Sequence, residues 1–383
     1  MTTPLPTRTP GMTVTSEGLA PDTDARLRAL LTSVVARRGV HHANLALVDD
    51  TGSRCWAGAA GSADPAGTPL SPDTPFFVAS ITKRFLITLL LQAHERGELH
   101  LDDPAARPLP AEVMAGLHVL RGVDHGPDIT LRHLASHTSG LPDHFEKPRE
   151  GRSLYAVLRA GDDRSWTFED VVRMAKEQHR PHFPPQDLAA PRQRARYSDT
   201  GFQLLIRAME RATGDDLATL LDERIIAPLG LVHTWLPGRS SPAVSTPPPS
   251  RLYDGQRPLE LPRMLVASND LMSTTADLLR FQRALLAGEL FASRRTVSLL
   301  TERENRLRNA PGLRYGLGTM TFRVNRLHAA GRQAVHLVGH SGSTGTWLFH
   351  CPELDVHLVG TVDQAEGRSL PFRLMAQLLR AWA

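Results

Sequence analysis

The segment FFVASITKRFLITLLLQ contains two residues whose types and spacing could do chemistry. Lys83 is one of only three lysines among 44 basic residues, the others being arginine. An ammonium group can lose its proton inside a protein and a guanidinium does not, so a lysine within an apolar run invites a chemical explanation. Ser80 lies three residues earlier, which on a helix places both side chains on one face about 5–6 Å apart. The pair predicts a serine nucleophile assisted by an amine, and a solvated helix face is the alternative.

Two distant segments carry further groups of this kind. In RARYSDTGFQLL, Tyr197 lies in a polar turn before a predicted helix, where a phenol could act as a general base if a nearby cation lowers its pKa. In LVGHSGSTGTW, a predicted strand ends in a glycine-rich bend that lets backbone N–H groups approach a ligand closely. We therefore expect the N–H groups of Ser80 and Ser343 to form an oxyanion hole.

The elements that must position these groups can be predicted from the spacing of apolar residues. HANLALVDDTGSRCWAGAAG indicates two strands joined by a tight turn, and a buried helix is expected from about Ser80 to Arg96. Helices and proline-containing loops follow from Leu101. After Tyr315 the pattern changes to four strands and a last amphipathic helix, LPFRLMAQLLRAWA.

Strands at both ends of the chain with helices between them predict an α+β fold. We expect one antiparallel sheet built from N-terminal and C-terminal strands, flanked by helices, with an inserted, mostly helical lobe. Residues 21–383 would form a single catalytic domain, with an α/β lobe of about 21–100 and 310–383 and a helical lobe of about 101–309. Residues 1–20 are expected to be a flexible leader.

The composition limits the classes of partner. With 41% hydrophobic and 22% charged residues among 383, the chain is typical of a soluble globular protein. The N-terminal segment MTTPLPTRTPGMTVTSEGL has no apolar run of signal-peptide length and no segment approaches a membrane span, so we expect a cytoplasmic protein that has no membrane partner. The formal charge of +4, carried by dispersed arginines, argues against a nucleic-acid partner. The sequence does not indicate an oligomeric state.

The sequence also gives no sign of a metal site. Cys55 and Cys351 have neither disulfide-framework nor metal spacing. His133 and His137 lie four residues apart, but HLASH lacks the glutamate of a zinc protease, so structural packing is expected for both.

Taken together, the motifs containing Ser80 and Lys83, Tyr197, and His340 resemble the serine β-lactamase and D-alanyl-D-alanine carboxypeptidase superfamily, closest to its class C and esterase branch. That family's pattern is Ser-x-x-Lys, then Tyr-x-Asn, then Lys/His-Thr/Ser-Gly. The resemblance covers the chain from about residue 24. It includes the family-like segments ITLRHLASHTSGLPDH, YSDTGFQLLIRAMERATG, IIAPLGLVHTWLP, SNDLMSTTADLLRF and YGLG.

The resemblance implies a role for each catalytic residue. Ser80 would be the acyl-accepting nucleophile, and Lys83 would assist its deprotonation. Tyr197 would pass a proton to the leaving group and later activate the incoming water or alcohol. No cofactor is implied.

The resemblance also implies residues that bind or support the substrate. His340 would hydrogen-bond the substrate or Tyr197, and the edge of the cleft would continue through Ser341 and Gly342. The implied activity is a serine hydrolase forming an acyl-enzyme from a small ester or amide. An acyltransferase with an alcohol or amine acceptor is the alternative, and a non-catalytic binding protein on the same scaffold is less favoured.

The chain departs from the family pattern at three places. Asp199 stands where the pattern has Asn. A carboxylate near Lys83 would raise the pKa of the lysine, which would leave Tyr197 as the working base. The alternative role for Asp199 is to cap the helix that follows. His340 replaces the Lys or Arg of carboxylate-binding members, which weakens the expectation of a substrate with a free C-terminal carboxylate. Asn269-Asp270 replaces a Gly pair, and both types tolerate a left-handed turn.

Overall fold

The computed structural model describes residues 12–325, 334–365 and 369–383, and a nine-stranded antiparallel sheet forms its centre. The strands of the chain, in order, are β1 Met12–Glu17, β2 His42–Val48, β3 Cys55–Gly61, β4 Phe76–Phe77, β5 Val119–Leu120, β6 Val123–Asp124, β7 Leu252–Asp254, β8 Arg257–Leu259, β9 Met272–Ser273, β10 Asn305–Arg306, β11 Arg314–Tyr315, β12 Met320–Val324, β13 Val335–Ser341, β14 Thr346–Cys351 and β15 Val356–Thr361. The order across the central sheet is β1-β3-β2-β15-β14-β13-β12-β11-β10.

Helices cover the sheet and form most of the segment between its two halves. They are α1 Pro21–Val35, α2 Thr82–Glu95, α3 Ala111–Met114, α4 Leu131–Ala135, α5 Leu154–Arg159, α6 Phe168–Arg173, α7 Asp199–Thr213, α8 Leu217–Leu221, α9 Ala227–Leu229, α10 Pro262–Ala267, α11 Thr275–Ala287 and α12 Leu370–Trp382. Short 3-10 helices span Ala79–Ile81, Gly126–Asp128, Arg294–Leu300 and Pro352–Leu354, and π turns span Met174–Gln178 and Asp222–Ile226.

The predicted α+β fold is confirmed, because strands from both ends of the chain complete one sheet. β2 pairs with β15 in antiparallel register, from Val48 opposite His357 to Asn44 opposite Thr361. A two-stranded pairing of β4 with β9 adds a second connection, from just before α2 to the turn that precedes α11. In the described part of the chain, no helix is long and apolar enough to cross a membrane.

The expected flexible leader is wrong for the residues that form β1. Met12–Glu17 pairs with β3 along its whole length, from Met12 opposite Ala60 to Glu17 opposite Cys55. Without β1, β3 would be an edge strand with a row of unpaired backbone N–H and C=O groups. β1 pairs with these groups although its own side chains are mostly exposed. Residues 1–11 of the expected leader lie outside the described residues.

Helix α2 is buried on nearly all sides, as its apolar sequence predicts. Twelve of its 14 residues are buried, and the ring of Phe85 stacks on Phe281 of α11 with 3.6 Å between ring centroids. Helix α11 in turn packs against β2 and β15. The helix begins at Thr82 rather than at Ser80, which lies in the preceding 3-10 turn. Packing from helix to sheet therefore fixes the segment that carries Ser80 and Lys83.

We expect Phe281→Ala to lower the free energy of unfolding by about 3–5 kcal/mol, because it removes a fully buried ring and leaves a cavity beside Phe85. Urea unfolding followed by tryptophan fluorescence would measure the change. Val266→Ala is the matched control, since Val266 is 46% exposed and its truncation should change stability by about 0.5 kcal/mol or less. Equal midpoints for the two variants would contradict the proposed packing role of Phe281.

Candidate active site

The turn that carries Ser80 is held in an unusual backbone conformation. Ala79 has a φ of +50°, a left-handed conformation that non-glycine residues seldom adopt. Hydrogen bonds on the residue before it support this conformation: the Val78 N–H donates to Leu271 O at 3.0 Å, and Thr346 Oγ1 donates to Val78 O at 3.0 Å. Strained residues often occur at functional sites, where surrounding contacts maintain them.

Gly342 allows the end of β13 to lie directly against this turn. A Cβ atom at Gly342 would collide with Thr346 Oγ1 and would lie 2.9 Å from both Ala79 Cβ and Val78 O. The close approach therefore requires glycine. It brings Ser341, Gly342 and Ser343 to the same cavity as Ser80, and the oxyanion hole formed by the N–H groups of Ser80 and Ser343 stays a prediction.

Lys83 connects the serine to a carboxylate of the helical segment. Its Nζ donates to Ser80 Oγ at 3.3 Å and also forms a short ion pair with Asp199 Oδ1. The Lys83 side chain is only 5% exposed, and its Nζ lies 5.3 Å from the ring centroid of Tyr197 and 5.2 Å from that of Phe202. The amine is thus enclosed by two aromatic rings and held between the hydroxyl and the carboxylate.

The surroundings of Lys83 favour its ammonium form. Burial by itself favours the neutral amine, but the carboxylates of Asp199 and Asp270 outweigh it and raise the pKa of Lys83. This is the direction expected from the aspartate in the Tyr-Ser-Asp motif. Asp199 is the first residue of α7, and no side chain caps this helix, so its carboxylate serves the ion pair rather than a cap.

The backbone of Tyr197 is clamped on both sides by one asparagine. The Tyr197 N–H donates to Asn309 Oδ1 at 3.0 Å, and Asn309 Nδ2 donates to Tyr197 O at 3.1 Å. The ring packs against His137 with 4.3 Å between centroids. The hydroxyl is buried and makes no well-aligned hydrogen bond within the described residues, although it faces Ser80 closely enough to be affected by that hydroxyl.

The electrostatics of Tyr197 differ from the expectation of an acidified phenol. Burial and the nearby Asp199 carboxylate raise the pKa of Tyr197 well above its usual value, and the Ser80 hydroxyl offsets this only in part. The sequence interpretation assumed that a cation would lower this pKa. Because Asp199 neutralises Lys83, that cation does not dominate, and Tyr197 is a neutral phenol in the resting site.

Two carboxyl groups outside the predicted catalytic set, Asp143 and Asp270, lie near the ion pair. Burial, followed by repulsion from Asp199, raises the pKa of Asp143 well above its usual range. Burial raises the pKa of Asp270 to about 6, with Lys83 opposing the shift. Both residues line the cavity of Ser80. Asn269 adopts the left-handed turn expected of the Asn-Asp pair, with a φ of +60°.

The ring of His340 lies 6.1 Å from that of Tyr197 between centroids, but its hydrogen bonds go to other groups, and its predicted hydrogen bond to substrate stays a prediction. His340 is fully buried, its Nδ1 donates to Ser341 O at 2.8 Å, and its Nε2 lies 3.0 Å from the hydroxyl of Tyr315. Because a carbonyl can only accept, the proton is on Nδ1, and Nε2 accepts from the Tyr315 hydroxyl. His340 therefore positions the end of β13 from behind, since β13 turns its side chain away from the cavity.

The two histidines with metal-like spacing do not converge. His133 caps α4 and contacts Gln186 O through Nε2 at 2.6 Å. His137 Nδ1 accepts from the Ser198 N–H at 3.2 Å. Each has a separate structural partner, as the sequence predicted.

The cavity that joins these groups has a volume of about 550 Å³. Its walls away from Ser80 are mainly apolar, with charged side chains in addition to the catalytic candidates. The apolar lining includes Phe77, Leu158, Leu261, Met264 and Leu313, and the further charged residues are Glu146, Lys147 and Arg159. A small, partly apolar molecule fits this volume and chemistry.

The chain belongs to the Beta-lactamase family, which matches residues 27–381. Membership confirms the resemblance drawn from the motifs and identifies an enzyme of the serine-hydrolase type. Relatives of the chain include esterases, amidases, peptidases and acyltransferases.

Three similar proteins illustrate this range. The D-alanyl-D-alanine-carboxypeptidase/endopeptidase AmpH of Escherichia coli (strain K12) is 26% identical over 225 residues, covering 57% of this chain and 51% of AmpH. Esterase EstB of Burkholderia gladioli is 33% identical over 211 residues, covering 54% of this chain and 50% of EstB. The chain thus spans about half the length of these curated relatives. The structure of a D-stereospecific amidohydrolase from Streptomyces sp. has 28% sequence identity and a TM-score of 0.73, covering 92% of this chain and 97% of that one.

We expect Asp270→Asn to change how stability depends on pH. The folded carboxyl has a pKa of about 6, whereas an aspartate in the unfolded chain has its ordinary pKa of 3.8. The folded state then binds more protons between these pKa values, so this residue makes stability fall as pH rises from about 4 to about 6. In Asp270→Asn that contribution is absent, and its Tm relative to the wild type should increase over this interval and then level off.

Thermal scans between pH 4 and pH 7 would measure the difference. The exposed Asp222, changed to Asn, is the control and should leave the shape of the curve unaltered. Parallel curves for the wild type and Asp270→Asn would contradict the raised pKa.

Proposed function

We propose that the protein is a serine hydrolase that forms an acyl-enzyme on Ser80 from a small ester or amide. The observation that carries this proposal is the contact of Lys83 Nζ with both Ser80 Oγ and the Asp199 carboxylate, with Tyr197 on the same cavity. A solvated serine and lysine on a helix face would not be enclosed in this way. A non-catalytic binding protein on the same scaffold is disfavoured because Ser80, Lys83 and Tyr197 are all present in the cavity.

In the acylation step, Ser80 Oγ attacks the substrate carbonyl carbon and its proton must leave. Lys83 is held as an ammonium by Asp199, so it cannot accept that proton until it gives one up. The short ion pair offers a route: Lys83 passes a proton to the Asp199 carboxylate as it takes one from Ser80. The carbonyl electron pair moves onto oxygen, where the N–H groups of Ser80 and Ser343 stabilise it.

Tyr197 then acts as the acid for the leaving group. As a neutral buried phenol it donates its proton to the departing oxygen or nitrogen, and the C–O or C–N bond breaks. The resulting phenolate accepts a proton from the incoming water, which attacks the acyl carbon. When this second tetrahedral intermediate collapses, Ser80 recovers its proton through Lys83 from Asp199. The cycle consumes one substrate and one water and returns every group to its first state.

The cavity supports a substrate with an apolar acyl or leaving group. Its wall contains several Leu and Met side chains, and the end of β13 and the bend after it contribute Ser341, Gly342 and Ser343 without a Lys or Arg. Asp270, whose pKa of about 6 leaves it mostly ionised at neutral pH, also disfavours a substrate carboxylate there. We therefore favour a neutral or cationic ester or amide over a peptide ending in a free carboxylate. Esterase EstB and the Streptomyces amidohydrolase, by their names, act on bonds of these two kinds.

We expect Ser80→Ala to lose turnover by at least about 1,000-fold and to lose all labelling by a fluorophosphonate, because the acyl-accepting atom is gone. A panel of chromogenic esters, D-amino-acid amides and a cephalosporin would measure turnover, and intact-protein mass spectrometry would measure the adduct. The exposed Ser298, changed to Ala, is the matched control and should keep both properties.

If the wild-type protein is not labelled by the fluorophosphonate and turns over none of the compounds, the result would favour the non-catalytic alternative. Repeating the assay with an added alcohol or amine separates hydrolysis from acyl transfer. A dominant ester or amide product at modest acceptor concentration would identify an acyltransferase.

We expect Asp199→Asn to move the pH–rate profile. Without this carboxylate the strongest charge that raises the Lys83 pKa is lost, so burial lowers that pKa and the amine itself becomes the base. The rise of kcat/KM on the acid side of the profile should then follow deprotonation of Lys83 and should shift to higher pH. At neutral pH we expect kcat/KM to fall by about 100-fold or more. Measurement of kcat/KM from pH 5 to pH 10 tests this. Asp170→Asn, which alters a carboxylate at the start of α6, is the control. Superimposable profiles for Asp199→Asn and wild type would rule out the relay through Asp199.

A further inference from the structure

A second group of ligating side chains lies on the central sheet, apart from the Ser80 cavity. His350 on β14 and His357 on β15 are direct cross-strand partners, and their rings stack with 4.3 Å between centroids and 23° between planes. Asp50, in the turn between β2 and β3, reaches both of them. Its Oδ1 lies 3.0 Å from His350 Nε2 and 2.8 Å from His357 Nε2.

We propose that Asp50, His350 and His357 bind one divalent transition-metal ion of the Zn²⁺ type. Two imidazole nitrogens and a carboxylate oxygen are a ligand set suited to zinc and its neighbours, and the three ligating atoms lie within 4.8 Å of one another. Metal–ligand distances of about 2.0–2.1 Å place neighbouring ligand atoms about 3.0–3.4 Å apart. The two nitrogen–oxygen distances are already close to that range, so a small rotation of the side chains completes the site.

The surroundings leave the Asp50 carboxylate open to an ion and to solvent. The Asp50 side chain is 54% exposed and that of His350 is 13% exposed, so water can occupy the remaining coordination positions. The guanidinium of Arg283 donates to the backbone carbonyl of Asp50 at 2.9 Å rather than to its carboxylate. The Asp50 N–H donates to Asp355 Oδ1 at 3.0 Å, which adds a second negative charge beside the group.

The position of the group indicates a structural rather than a catalytic ion. Thr346, at the start of β14, contacts the turn that holds Ser80, whereas His350 lies four residues further along the strand, about 13 Å away at about 3.3 Å per residue. The β2–β3 turn and the β14–β15 hairpin belong to neighbouring strands in the order β2-β15-β14. A bound ion would therefore join three adjacent strands and stabilise the folded sheet.

The test uses the full chain after treatment with EDTA and measures binding without reference to turnover. Equilibrium dialysis against micromolar Zn²⁺ should retain one ion per chain, and a concentration about 100 times the dissociation constant should raise the Tm by at least about 2 °C. Co²⁺ in place of Zn²⁺ should give visible absorption bands from the bound ion.

Variants of the more exposed ligands keep the proposal testable, since His357 is buried and its replacement could disturb folding. Asp50→Asn and His350→Gln should each lower Zn²⁺ affinity at least tenfold and remove the Tm increase. His336→Gln is the matched control, because His336 pairs with Glu353 at 2.7 Å on the same sheet and is not part of the three-residue group. Failure of the wild type to retain Zn²⁺, or retention unchanged in the Asp50→Asn/His350→Gln double variant, would overturn the proposal and leave these residues as a hydrogen-bonded bridge.

Discussion

The ion pair between Lys83 and Asp199 is the interaction on which the site depends. Lys83 lies on α2, which packs against α11 and the sheet, and Asp199 begins α7 of the inserted helical segment. Their contact joins the two parts of the fold at the floor of the cavity. Removing one partner of a buried pair typically costs about 3–5 kcal/mol, because the other charge is left without compensation. The pair therefore couples the geometry of the site to the stability of the fold.

The same pair also sets the protonation of the groups around it. Asp199 contributes to the raised pKa values of Asp143, Asp270 and Tyr197, while Lys83 opposes the shift of Asp270. The floor of the cavity thus contains one charged pair beside acidic groups whose pKa values are all raised. A neutral phenol beside a compensated ammonium is suited to protonating a leaving group. In the resting enzyme a phenolate would require Lys83 to remain uncompensated, which Asp199 prevents, so the Tyr197 phenolate of the proposed cycle forms only after the leaving group has taken the proton.

The sequence predicted those features that depend on local spacing or on the joint order of the motifs. The proximity of Ser80 and Lys83 follows from a separation of three residues, and the hairpin between β2 and β3 follows from its turn residues. The left-handed turn at Asn269 follows from the residue type. The carboxylate beside Lys83 could be anticipated once the motif pattern had been recognised. Each of these is a short-range property or a property of the family pattern as a whole.

Features that depend on tertiary packing could not be predicted in this way. Asp143 has no distinctive spacing, and its place in the cavity comes from the loop that packs against the start of α7. The orientation of His340 depends on Tyr315, which lies 25 residues earlier and reaches it across the sheet. The pairing of β1 depends on an open edge that exists only after β3 has formed.

The sheet also explains why the Ser80 turn can keep its strained conformation. Gly342, just after β13, lies against the left-handed Ala79, and Thr346 at the start of β14 donates to the preceding Val78 O. Both β13 and β14 are interior strands of the nine-stranded sheet. Interior strands are paired on both edges and resist local distortion more than loops do. Relaxation of the turn would require Gly342 and Thr346 to separate from Val78, and hence the β13–β14 bend to open. The long sheet, completed by strands from both ends of the chain, thus provides the rigidity that holds the Ser80 turn against the bend between β13 and β14.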